Sequence, residues 1–115
     1  DFIRVEKVKG KKFCGLGAST KGNTLLQTFG LSHHHLDCIG EVSQDKFGLY
    51  TIGSHIPIVS EDIMFGRKPD YVIILPHHFK DNIIARHRDK FEQGIKFIVV
   101  LPEPTLILSD VEVKI

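Results

Sequence analysis

The sequence predicts an α/β fold, a three-layer α/β/α sandwich around a mostly parallel sheet, and three observations predict it. Two runs, "DYVIILP" at 70–76 and "KFIVVLP" at 96–102, stay apolar and β-branched until a proline stops them, the pattern of strands buried on both faces. Between such runs, apolar residues recur at helical spacing. Strand and helix therefore alternate, and that alternation builds parallel sheets through right-handed crossovers. With 115 residues the chain has material for one hydrophobic core and too little for two, so residues 1–115 are expected to form a single domain.

The first strand is "KFCGL" at 12–16, an apolar run that ends in glycines. A helix should follow: Ser19 or Thr20 can cap it, Leu25, Leu26 and Phe29 give it an apolar face, and Gly30 can end it in a left-handed conformation. The second strand is expected at Leu36–Val42, and a turn-rich segment, 43–53, separates it from "HIPIVS". Ser60 then caps a short helix, Glu61–Phe65, before Gly66. After the third strand, Asp70–Pro76, the residues Phe79, Ile83, Ile84, His87 and Phe91 share one stripe of a surface helix that ends near Gly94. Lys96–Pro102 is the fourth strand, and "TLILSDVEVKI" supplies one or two edge strands with Val111, Val113 and Ile115 alternating.

The most economical spatial order of the four main strands is 2-1-3-4, which reverses direction between the first and third. Ligands in such sheets bind at that switch point, outside the carboxyl ends of the strands. Two loops would line it: "GLGASTKGN" after the first strand and "PHHFKDN" after the third. In the first loop Gly15 and Gly17 permit close backbone approach, but Thr20 stands where a dinucleotide fingerprint has its third glycine, and Lys21 precedes Gly22, unlike a P-loop. Gly17, Ala18, Ser19, Thr20, Lys21, Asn23 and Thr24 combine a helix N-terminus, one positive charge and several hydroxyl or amide groups that can hold phosphate or sugar oxygens. The same glycines equally serve strand-to-helix packing.

Glu41, at the end of the second strand, is placed to accept ribose hydroxyls or simply to end a strand in solvent. His77 and His78 follow the third strand, where imidazoles can donate to phosphate or cap the next helix. His87 lies on the apolar stripe and reads as a histidine at the edge of the core. "HHHLDC" at 33–38 carries metal-ligand residue types, but adjacent histidines on an extended chain point alternately and no CxxC or HExxH partner exists, so an exposed loop is expected and no metal site. Cys14 and Cys38 read as small core residues, and two cysteines make no disulfide framework.

Fifteen basic against 14 acidic residues, spread along the chain, leave a net charge of +1 and no electrostatic footprint for nucleic acid or an anionic membrane. No apolar run has the length of a transmembrane helix, and the N-terminus shows neither a signal nor a transit peptide, so a cytoplasmic setting is expected. The chain starts at Asp1 and reads as a piece of something longer.

"GLGASTKGNTLLQTFGL", "KFGLYTIGSHIPIVS", "KPDYVIILPHHFKDNII" and "GIKFIVVLPEP", in that order, resemble the C-terminal domain of the S-adenosylmethionine-dependent C-methyltransferases that act on nucleotide-linked deoxysugars. The resemblance runs from about residue 11 to about residue 108. It implies a Rossmann-like module that closes over a nucleotide-sugar substrate, with S-adenosylmethionine and the catalytic acid/base residues on an upstream domain and no cofactor on this one. It implies that the loop from Gly15 to Thr24 faces substrate; in that setting His77 or Glu103 would line the rim, with His78 a further candidate beside them. The chain departs from that family's pattern at Glu41-Val42, where an Asp-Arg pair is usual, and at His77-His78, where Trp-Asn is frequent. A second reading is a noncatalytic Rossmann-like module that binds a nucleotide or regulates a partner; a small NAD-dependent oxidoreductase is disfavoured by the missing third glycine.

Overall fold

The computed structural model describes residues 2–18 and 20–115, with Thr20 and Lys21 described in the backbone alone. Its strands are β1 (Phe13–Leu16), β2 (Ile39–Glu41), β3 (Ile58–Ser60), β4 (Tyr71–Ile74), β5 (Lys96–Val99), β6 (Thr105–Leu108) and β7 (Val111–Lys114). Its helices are α1 (Phe2–Val8), α2 (Thr20–Thr28), α3 (Glu61–Gly66), α4 (Lys80–Arg86) and α5 (Asp89–Glu92).

The strands form one sheet in the order β3-β2-β1-β4-β5-β6-β7. Its first five strands run parallel. The four strands expected from sequence keep their expected order, β2-β1-β4-β5. The sheet as a whole is mixed, because after Pro102 the chain returns as the antiparallel hairpin β6–β7 instead of crossing over through another helix.

Alternation along the buried strands sorts side chains to two faces. Phe13, Tyr71, Ile73, Leu75, Ile98 and Val100 join Leu25 and Leu26 of α2 in one apolar cluster, against which Phe2 and Ile3 of α1 pack. Cys14, Leu16, Val72, Ile74, Phe97 and Val99 join Met64 and Phe65 of α3 and Ile83 and Ile84 of α4 in the other. Helices thus cover both faces. On the first face Tyr71 donates a 2.5 Å hydrogen bond from its hydroxyl to the Glu6 carboxylate. That bond, with Lys9 beside it, holds Glu6 below the usual carboxylate range, while burial and then Glu6 push the Tyr71 phenol up. Among the described residues, no helix is long and apolar enough to cross a membrane.

Several expectations need correction. α1 was not legible, and β3 adds a strand outside β2 where only a helix cap was expected; Ser60 does both, ending β3 and accepting the Ile63 N–H at 3.1 Å. The second strand is shorter than Leu36–Val42, since Val42 already stands in solvent. Phe29 lies past the end of α2 and is 44% exposed. The long helix expected from Phe79 to Gly94 is a 3-10 turn at His77–Phe79, then α4 and α5, broken around His87. His87 is buried, its N–H reaches both Ile83 and Ile84 carbonyls, and its ring sits 4.9 Å from that of Phe65. The break lets α5 bring Phe91 edge-on to Phe97, with ring centroids 5.4 Å apart.

Candidate functional site

At the carboxyl ends of β1, β2 and β4 lies a cleft of about 420 Å³ lined by Gly17, Ala18, Glu41, Lys46, Phe79, Asn82 and Arg86, among others. Gly17 is required there twice over. Its φ is +89°, and a Cβ on it would stand 2.6 Å from the Pro76 ring, so the β1 loop passes directly over the end of β4. The Gly17 N–H in turn donates to the Gly40 carbonyl at 2.8 Å.

Glu41 holds the floor of this loop. Its Oε1 accepts the Ala18 N–H at 2.8 Å, and its Oε2 accepts the N–H groups of Val42 and Ser43 at 2.8 and 2.9 Å. Lys46 donates from its ammonium to the Ala18 carbonyl and lies 3.9 Å from Glu41 Oε1. The Ala18 peptide is therefore gripped at both its N–H and its C=O. The carboxylate expected to accept ligand hydroxyls is committed largely to its own backbone.

The opposite wall comes from α3 and α4. Arg86 donates to both Glu61 oxygens at 3.3 and 3.4 Å. His87 Nε2 lies 3.3 Å from Glu61 Oε1 without the geometry of a hydrogen bond, and burial pushes its imidazole pKa down while Glu61 opposes that shift. Among the described residues, two cations thus face two carboxylates in the cleft.

Phe79, Asn82, Ile83 and Arg86 stand at i, i+3, i+4 and i+7, so one helical face supplies this wall, and that spacing could have been read from the sequence. Lys46 carried no such signal: it sits in an irregular segment, as a 3-10 turn over Gln44–Lys46.

The other expected site residues go elsewhere. His77 and His78, with rings 4.1 Å apart, line a separate groove of about 500 Å³ together with Glu103. Its charges are paired, Lys80 with Glu112 at 3.2 Å and Lys114 with Glu103 at 3.0 Å. Asn23 and Thr24 lie in α2, and the Asn23 Oδ1 is buried with no hydrogen-bond partner among the described residues. Ser19 and the side chains of Thr20 and Lys21 lie outside the described residues.

Cys14 and Cys38 are free thiols buried in the core, with sulfurs 3.8 Å apart. Their mutual hydrogen bond and burial push the Cys14 thiol up. His33, His34 and His35 occupy the turn after α2, where Ser32 donates its N–H to His35 Nδ1 at 3.2 Å.

A loop thus crosses from β1 to β4 at a reversal of strand order, with a cleft beneath it. The model of the C-methyltransferase C-terminal domain matches residues 1–102, and the chain belongs to that family. Among characterised proteins it is similar to the C-methyltransferase NovU of Streptomyces niveus, 34% identical over 110 residues that make up 96% of this chain and 26% of NovU. The chain thus spans about a quarter of the length of that relative.

Proposed function

We propose that this chain is the substrate-binding domain of an S-adenosylmethionine-dependent C-methyltransferase that acts on a nucleotide-linked deoxysugar. In this reading it is the C-terminal part of a longer cytoplasmic enzyme, and the methyl donor resides on a separate upstream domain, so no residue here is assigned to it. The fold is read as Rossmann-like: a five-stranded parallel block reverses direction between β1 and β4, and the hairpin β6–β7 extends its edge. The two buried cysteines, close and unbridged, fit a reducing compartment.

The observation that carries the reading is the cleft under the Gly17–Ala18 loop, found in a chain of this family. Methyl transfer to carbon needs a proton removed beside a keto group and the resulting enolate stabilised. The donor supplies the methyl group. This chain supplies orientation, which is itself worth several kcal/mol of barrier. Glu41 and Lys46 hold the loop in place. Ser19, Thr20, Lys21, Asn23 and Thr24 would face the diphosphate and the adjoining sugar, whereas His77, His78 and Glu103 line the separate groove toward β5 and β6.

The test is an amide chemical-shift titration of the labelled chain with a thymidine-diphosphate sugar, S-adenosylmethionine and NAD in parallel. Shifts at Gly17–Thr24 with the nucleotide sugar alone are expected. Shifts at the same amides with NAD or S-adenosylmethionine instead would overturn the assignment of this loop to substrate.

A further inference from the structure

Among the described residues β7 lies at one edge of the sheet, and all four of its residues are exposed. In an antiparallel ladder one residue turns its N–H and C=O toward the neighbouring strand and the next turns both away. Ile115 donates its N–H to the Pro104 carbonyl at 3.0 Å. Positions 111, 113 and 115 therefore face β6, and the backbone groups of Glu112 and Lys114 face outward. The side chains follow the same alternation. Val113 and Val111 stand opposite Leu106 and Leu108, and Leu106 packs on the first apolar cluster. Val111, Val113 and Ile115 thus lie together on that face, 57%, 42% and 43% exposed. Glu112 and Lys114 share the other face.

Charged residues on an edge strand usually keep other strands away. Here their order matches the strand to its own antiparallel copy. With Val113 opposite the second copy's Val113, each Glu112 stands opposite a Lys114 and each Val111 opposite an Ile115. Glu112 and Lys114 are also the residues whose outward N–H and C=O groups would exchange paired hydrogen bonds, leaving Val113 against Val113 as the close, non-hydrogen-bonded pair. A slip of one residue would set outward backbone groups against inward ones. A slip of two would set Glu112 against Glu112 or Lys114 against Lys114. One register satisfies backbone, charge and apolar face together.

We infer that two copies of this chain dock through β7 into a symmetric dimer with one continuous sheet. On the apolar face the contact brings the second copy's Val111 beside Ile115, at the rim of a hollow of about 180 Å³ lined also by Phe2, Ile3, Phe29 and Leu31. The Lys80–Glu112 and Lys114–Glu103 pairs leave each carboxylate a second oxygen for the partner, and exposed pairs of this kind are weak constraints.

Sedimentation of the 115-residue chain from low-micromolar to near-millimolar concentration is expected to show a reversible monomer–dimer equilibrium. Glu112→Lys and Lys114→Glu each place like charges opposite one another twice, and each should weaken the dimer about tenfold or more. The double variant Glu112→Lys/Lys114→Glu restores opposite charges and should restore the dimer. Circular dichroism of each variant checks that the fold is unchanged. A monomer at every concentration, a dimer indifferent to the single changes, or a double variant no better than the singles would each overturn the inference.

Discussion

Glu41→Ala asks whether the cleft is built by one carboxylate. Glu41 is 8% exposed and accepts three backbone N–H groups at 2.8 to 2.9 Å. Hydrogen bonds to a charged group contribute about 1.5–3 kcal/mol each, and the part lost depends on whether water replaces the acceptor. Val42 is exposed and Ser43 half-buried, so their amides rehydrate, whereas Ala18 is 8% exposed and its N–H is left largely without an acceptor. The expected loss is about 2 kcal/mol at Ala18 and about 1 kcal/mol for the other two together. A sum of about 3 kcal/mol is a large share of a domain's stability, and lowers Tm by roughly 10 °C. Glu41→Gln keeps one oxygen for Val42 and Ser43 but turns an NH2 toward the Ala18 N–H, so it should cost about half as much. Urea unfolding followed by circular dichroism measures both. Stability within about 0.5 kcal/mol of wild type for Glu41→Ala, with the Ala18 amide resonance unmoved, would refute the clamp and return the carboxylate to the ligand.

Three further outcomes are expected. Gly17→Ala forces a side chain into a φ of +89° and against Pro76, and should destabilise the chain by about 2 kcal/mol or more in urea melts while shifting amides around both loops. Burial pushes His87 and His35 below the ordinary imidazole value, so the unfolded chain takes up protons first as pH falls. Their stabilising contribution is therefore present above the unfolded pKa of about 6.5 and declines as pH drops through it toward the lower folded values. Urea melts across that range should show the decline, and His87→Gln should flatten it. Lys21→Ala should weaken thymidine diphosphate and its sugar conjugate alike in calorimetry, whereas Phe79→Ala should weaken the conjugate alone; equal losses from Phe79→Ala would remove the sugar from the cleft wall.

What the sequence made legible follows from burial. β4 and β5 are buried on both faces, so nearly every residue in them is apolar and the strands announce themselves. The order of the four main strands is the most economical doubly wound arrangement of right-handed crossovers, and the sheet keeps it. β3, three residues long, has no room for a period, and α1 is a seven-residue helix whose buried residue is a glutamate satisfied by Tyr71, a partner 65 positions away. The break at His87 escaped for a related reason. Neither glycine nor proline marks it, and the side chains that surround that imidazole, Phe65 and Glu61, come from another helix. Gly17 and Ala18 line the cleft, and the close backbone approach at the first was legible because a loop over a strand end needs a small residue. The separation of His77 and His78 from them was not, because a 3-10 turn instead of a first helical turn sends those rings toward the β5–β6 end.

The balance of charge in the cleft narrows what it can do. Lys46 is spent on the Ala18 carbonyl and Glu41, and Arg86 on both oxygens of Glu61. A diphosphate entering between them would have to break or share those pairs, at a cost that a half-buried site raises above its value at the open surface. On the proposed function the anionic part of the substrate would be matched to Lys21 and the backbone N–H groups that open α2, since the sequence from 17 to 24 carries no carboxylate. On the proposed function the cleft proper would take an uncharged part: Phe79, 59% exposed, offers a flat apolar face, and Asn82 and the Glu61–Arg86 pair offer donors and acceptors that need not be neutralised. A ligand charged at one end and hydroxylated at the other would fit that division, with its two halves at adjacent strand ends under the one loop that Glu41 holds.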